Sequence, residues 1–166
     1  MSRAFVNDIT NYMHVVFRNV RDCLLTCDMD AVFFNVPIWK HAYHMLHSLD
    51  RWFINPTVYD EPPFHRPELN NIDIPPDDFA LSREDLLRYF EEIKAKLFQY
   101  LDTLDDEMLL QTPTGCQADR MTLIMAQFRH LYAHLGNINA TTISATGKWP
   151  FVANYSYMTP SDRIWE

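Results

Sequence analysis

Glycine is scarce in this chain: three residues in 166, Gly115, Gly136 and Gly147. With so few of the residues that reverse a backbone freely, the chain reads as helical. Cysteine is also scarce and odd in number, at Cys23, Cys27 and Cys116, with no C-x-x-C spacing. Cys23 and Cys27 share a helical face with Val16 and Val20, so buried thiols in a reducing, cytoplasmic setting are the expectation. No apolar run approaches the ~20 residues of a membrane-spanning helix. The N-terminal residues Met1 to Asp8 lack the apolar core of a secretory signal. Basic residues are outnumbered, 14 Lys and Arg against 22 Asp and Glu, for a net charge of -8. Neither nucleic acid nor an anionic membrane surface is therefore an expected partner. A Gly-rich phosphate loop, a G-x-S-x-G elbow, the Glu-x-x-His of di-iron bundles and internal repeats are all missing.

What is present is a single globular domain over residues 1–166, 48% apolar and 14% aromatic. Four segments carry apolar residues at three-four spacing. The first, about 2–27, has the stripe Phe5, Ile9, Tyr12, Met13, Val16, Val20, Cys23, Leu24 and Cys27. The second, about 37–54, starts at Pro37, packs through Tyr43, Leu46, Leu49, Trp52 and Phe53, and stops before Asn55-Pro56. The third, about 83–104, opens on Ser82 and Asp85, which resemble a capping box. The fourth, about 118–143, packs through Ile124, Met125, Phe128, Leu131, Tyr132, Leu135 and Ile138. Gly136 within it costs ~1 kcal/mol relative to Ala, and close packing is the expected reason. Residues 57–81 hold Pro62, Pro63, Pro67, Pro75 and Pro76 and read as a crossover pinned by Phe64, Leu69, Ile72, Ile74 and Phe79. The aromatic tail, with Trp149, Phe151, Tyr155, Tyr157 and Trp165, is expected to pack on the bundle or on a second subunit. The fold class is thus all-α, a four-helix bundle. Its long second connection permits parallel second and third helices, in up-down-down-up order.

The chemistry lies in histidines. His130 and His134 stand at i and i+4, one turn apart on one helical face. That interval lets two imidazoles share a metal, but Leu131 occupies the place of the metalloprotease glutamate. The second segment adds His41, His44 and His47, at least one of which must face inward. The stripe Leu123, Gln127, His130, His134, Asn137 and Thr141 forms a polar face that makes sense if it lines a site. Hydrogen-bonded core histidines are the bland alternative. Two on one helix matched by two on another favour an open site of about three imidazoles, suited to Zn, Ni, Fe or Mn.

Trp39-x7-His47-x2-Asp50, with His130-x3-His134-x-Gly136-Asn137 and the later Gly147-Lys148-Trp149-Pro150, resembles the DinB-like (YfiT-like) superfamily of metal-dependent proteins. The resemblance covers nearly the whole chain and rests on the ordered combination of the motifs. It implies an up-down-down-up bundle, often dimeric, holding a divalent metal through one histidine of the second helix and two of the fourth. Matched residue by residue, the ligands are His47, His130 and His134. His47 is preferred because Asp50 follows it, and His44 is the alternative second-helix ligand. Asn137 stands where the family commonly has Gln. Characterised relatives include thiol-dependent transferases and isomerases, and hydrolases.

The expectation is thus a metal-dependent transferase using a low-molecular-weight thiol, or a hydrolase, with a small-molecule or thiol substrate and a homodimeric state. Asp50 and Tyr132 are candidates to support the ligands. A helical interaction protein, with a structural metal or none, is the competing reading.

Overall fold

The computed structural model describes residues 2–75, 78–154 and 163–166. Pro76, Tyr155 and Tyr157, singled out above, lie outside the described residues. Helix α1 spans Ala4–Thr26. A two-stranded hairpin follows, β1 Val32–Phe33 paired antiparallel with β2 Val36–Pro37. Its turn residues Phe34 and Asn35 both have positive φ, 47° and 67°, as a tight two-residue hairpin turn requires. Helix α2 is Ile38–Trp52, α3 Arg83–Asp102, α4 the single turn Asp106–Leu109, and α5 Arg120–Thr146. Among the described residues the fold is all-α apart from the hairpin and one isolated bridge between Pro150 and Trp165. Apart from Pro37, that hairpin and α4 fall between the segments assigned above to helices, and both are too short to show a period.

Two of the long helices start at a capping side chain. Ser82 and Asp85 form a reciprocal capping box on α3, and Asp119 accepts from the Thr122 amide at the head of α5. Gly147 closes α5 in the left-handed conformation, φ 70°. Two arginines close the other ends. Arg3, just before α1, donates to the carbonyls of Leu101, Asp102 and Leu104 at the end of α3. Arg83, at the start of α3, donates to the carbonyls of Leu24 and Cys27 at the end of α1. Both satisfy carbonyls that a helix end leaves without partners.

Helix α2 packs against α3 and α5, and α1 packs against the same two helices. One continuous core lies among them, including Met13, Val16, Val20, Leu46, Leu49, Phe53, Leu86, Phe90, Leu97, Ile124, Leu131 and Ile138. Phe5, Tyr12, Trp52 and Met125, expected in the apolar stripes, are instead exposed. Gly136 also differs from expectation: it is exposed, and a methyl group added there meets nothing within 4 Å. Close packing therefore does not explain it.

The proline-rich connection wraps the bundle. It forms 3-10 turns at Pro56–Val58 and Pro67–Leu69, buries Leu69, and rests Phe64 and Phe79 on the core. Ile74 is exposed, but its carbonyl accepts from the buried Lys40 ammonium at 2.5 Å. In the tail, Ala153 is buried and exchanges two hydrogen bonds with Asn19 of α1, at 2.7 and 3.1 Å. Trp149 to Phe151 pair with Ile164 to Glu166. The described part of the tail thus packs on the bundle.

Candidate metal centre

The helical interval brings His130 and His134 together on α5, and α2 supplies the third imidazole. The Nε2 atoms of His130 and His134 are 3.1 Å apart, and those of His44 and His130 are 3.3 Å apart. Two metal–nitrogen bonds of 2.0–2.1 Å at a tetrahedral angle require an edge of about 3.3 Å. Two of the three edges already have about that length, and all three ligand atoms lie within 4.8 Å of one another.

His44 is oriented by the loop. Its Nδ1 lies 2.8 Å from the carbonyl oxygen of Asn70. A carbonyl can only accept, so the His44 proton is on Nδ1 and the lone pair of Nε2 faces His130. Asn70 directly follows the Pro67–Leu69 turn, and buried Leu69 anchors it. A second-sphere carbonyl of this kind is what fixes ligating histidines in metal proteins. The Nδ1 atoms of His130 and His134 are buried and have no partner among the described residues.

Burial, first of all, pushes all three histidines down. His44 falls below its ordinary value, with the backbone hydrogen bond to Asn70 partly opposing the shift. His130 falls to about 4, helped by His44 and Arg129. His134 falls to about 3, helped by His130, His44 and His41. Neutral imidazoles at pH 7 are the ligating form.

These shifts set a pH dependence for the metal-free protein. The unfolded chain takes up protons on these histidines below about pH 6.5, whereas the folded one does not. Their contribution to stability is complete above that pH and is lost as the pH falls toward about 4. Urea titrations of metal-free protein should give midpoints that drop from pH 7 to pH 4.5, and His130→Gln should flatten the curve. Parallel curves would contradict the assignment.

His47 is placed differently from the sequence expectation. Positions 44 and 47 are ~60° apart around a helix, so α5 meets the side carrying His44 and the loop covers the side carrying His47. His47 Nε2 lies 2.6 Å from Glu61 Oε2, and its ring stacks on that of His65. The structure thus groups His130 and His134 with His44, and places His47 with Glu61 and His65 instead. Asp50 itself accepts from Tyr59 and Tyr89, both at 2.9 Å, and from Lys96 at 2.5 Å, tying α2 to α3. Tyr132 lies against Tyr12 at the α1–α5 surface. Asn137 is exposed. His41 bonds the Phe33 carbonyl oxygen of the hairpin at 2.8 Å.

Two groups of side chains among the described residues could thus hold a metal ion: His44 with His130 and His134, and His47 with Glu61 and His65. Glu61 and His65 escaped the sequence analysis because loop residues carry no period. Their only signal was two ligand-type side chains in a connection too long to be plain. No family model, curated protein or solved structure matches this chain.

Proposed function

We propose that this chain is a divalent-metal protein of the DinB-like type, a transferase using a low-molecular-weight thiol or a hydrolase. His44, His130 and His134 would be its ligands. The observation that carries this reading is the convergence of three neutral imidazole nitrogens from two helices, with edges of 3.1 and 3.3 Å. Three protein ligands leave a coordination position open, the arrangement of catalytic rather than structural zinc sites. A bound ion would supply Lewis acidity, lowering the pKa of a thiol or water and polarising a substrate oxygen. The chain's own part is to hold the three lone pairs inward, with the Asn70 carbonyl setting the His44 tautomer. The polar stripe of α5 supports the same site, with Gln127 buried one turn before His130.

The four long helices follow the up-down-down-up order. The reciprocal Arg3 and Arg83 contacts favour antiparallel α1 and α3. Parallel α2 and α3 are supported by Tyr43 stacking on Tyr89 and Asp50 meeting Lys96, which ascend the two helices together. Asn55, beyond α2, meets the Thr114 carbonyl before α5, which favours antiparallel α2 and α5.

Elemental mass spectrometry and thiol binding test the reading. Wild-type protein loaded with Co2+ should shift its visible spectrum on adding a small thiol, and His130→Ala should lose the ion held at this centre together with that part of the shift. A cobalt spectrum indifferent to thiols and anions would favour the interaction-protein reading. For that reading the exposed Tyr12, Met125 and Tyr132, beside a ~580 Å³ groove between α1 and α5, offer a surface for a second copy.

A further inference from the structure

The second cluster does not depend on the first. His47 reaches it from α2, whereas Glu61 and His65 come from the proline-rich connection. Their ligand atoms all lie within 4.8 Å of one another. Glu61 Oε2 is 2.6 Å from His47 Nε2 and 3.6 Å from His65 Nε2. The first of these is a hydrogen bond and the second is too long to be one. Two ring nitrogens therefore converge on one carboxylate oxygen that only one of them satisfies.

Each outer atom of the cluster has been given a holder except one. Arg51 holds the other oxygen of Glu61 at 3.2 Å. The phenol of Tyr43 is 2.5 Å from His65 Nδ1. Burial, above all, raises the Tyr43 pKa, so that partner stays a phenol at any working pH. A phenol oxygen accepts as well as donates, so this contact is compatible with the Nδ1–H tautomer of His65, in which the lone pair of Nε2 faces Glu61. Burial is also the main cause that keeps His65 below its ordinary pKa, with His47 adding to it. His47 is 1% exposed, and its Nδ1 has no hydrogen-bond partner among the described residues.

We propose that His47, Glu61 and His65 form a second divalent-metal site, a two-histidine, one-carboxylate set that staples the proline-rich connection to α2. This donor set suits Zn2+ and its neighbours among the first-row transition ions, whereas Mg2+ and Ca2+ prefer oxygen ligands alone. Entry of the ion breaks the His47–Glu61 hydrogen bond. Through solvent, His47 exchanges its Nε2 proton for one on Nδ1, so that the ring stays a neutral imidazole, and both imidazoles and one Glu61 oxygen then donate lone pairs. The short His47–Glu61 contact must open to about 3.3 Å, a movement left to Glu61, which is 39% exposed on its loop. The site also reaches the first one, because the connection it would fix carries the Asn70 carbonyl that orients His44.

The test is zinc capacity, measured by equilibrium dialysis and elemental mass spectrometry on wild type, Glu61→Gln, His65→Ala and His130→Ala. Glu61→Gln is nearly isosteric and keeps an oxygen for His47, so it answers for His65→Ala if that variant fails to fold by circular dichroism. Wild type should bind two equivalents. Glu61→Gln and His65→Ala should each weaken one of them by more than about 100-fold, beyond the 10–100-fold seen for outer-shell partners. His130→Ala should keep that equivalent and lose the other. A single equivalent that survives Glu61→Gln and disappears in His130→Ala overturns this second site and leaves the three-histidine reading intact. The reverse pattern supports the second site and sinks the other.

Discussion

Alanine at His44 should weaken zinc binding at the three-histidine centre by on the order of 100- to 1000-fold. Structural zinc sites gather roughly 10–16 kcal/mol from their ligands together, so one ligand in a small set is worth several kcal/mol. His44 is also the one of the three histidines whose tautomer the protein sets, through Asn70. Competition against a chromophoric chelator would measure the loss, in the Glu61→Gln background so that only one centre is read. His41→Ala is the matched control. It stands on the same helix, and its ring lies 6.5 Å from that of His134. Its Nε2, however, is engaged by the hairpin, so affinity should change by less than about threefold. Equal losses in the two variants would show that the general polarity of α2, rather than ligation, governs binding.

Asp50→Ala should destabilise the protein by about 3 kcal/mol. The carboxylate is 8% exposed and accepts from Tyr59, Tyr89 and Lys96. Removing it leaves the Tyr89 hydroxyl, which is buried against α2, with only the long 3.5 Å contact to the Tyr59 hydroxyl, and a buried polar group left poorly paired costs about 1–3 kcal/mol. Lys96→Ala should cost under about 1 kcal/mol, because it removes a half-exposed ammonium and leaves the Asp50 carboxylate its two phenol donors. Urea unfolding separates the two. Zinc capacity of folded Asp50→Ala should stay at the wild-type value, since Asp50 touches α3 rather than the histidines. A loss of metal without a loss of stability would reverse that assignment.

The helices were legible because their signals are local. Three-four spacing placed all four to within a few residues, and Ser82 with Asp85 marked the head of α3 correctly. The α5 histidine pair was equally legible, since i and i+4 fix a shared face whatever surrounds the helix. The partner from α2 was not. Choosing between His44 and His47 requires knowing which side of α2 meets α5 and which the connection covers, a tertiary fact that neither residue encodes. Asp50 favoured His47 by motif, yet its carboxylate serves α3. Exposed Phe5, Tyr12 and Met125 misled for a related reason: periodicity identifies an apolar face but not whether the chain itself covers all of it.

The reciprocal arginine clasps carry a kinetic consequence. Arg3 and Leu104 are 101 positions apart in the chain, and Arg83 and Leu24 are 59 apart. Neither clasp can close until a large loop has been gathered, and its closure entropy must be met by other contacts first. Both belong to the late, downhill side of the folding barrier, so they govern how slowly the native state opens rather than how quickly it forms. Helices α1 and α3 are thereby latched at both ends, and the lifetime of the assembled histidine centres is set far from the histidines themselves.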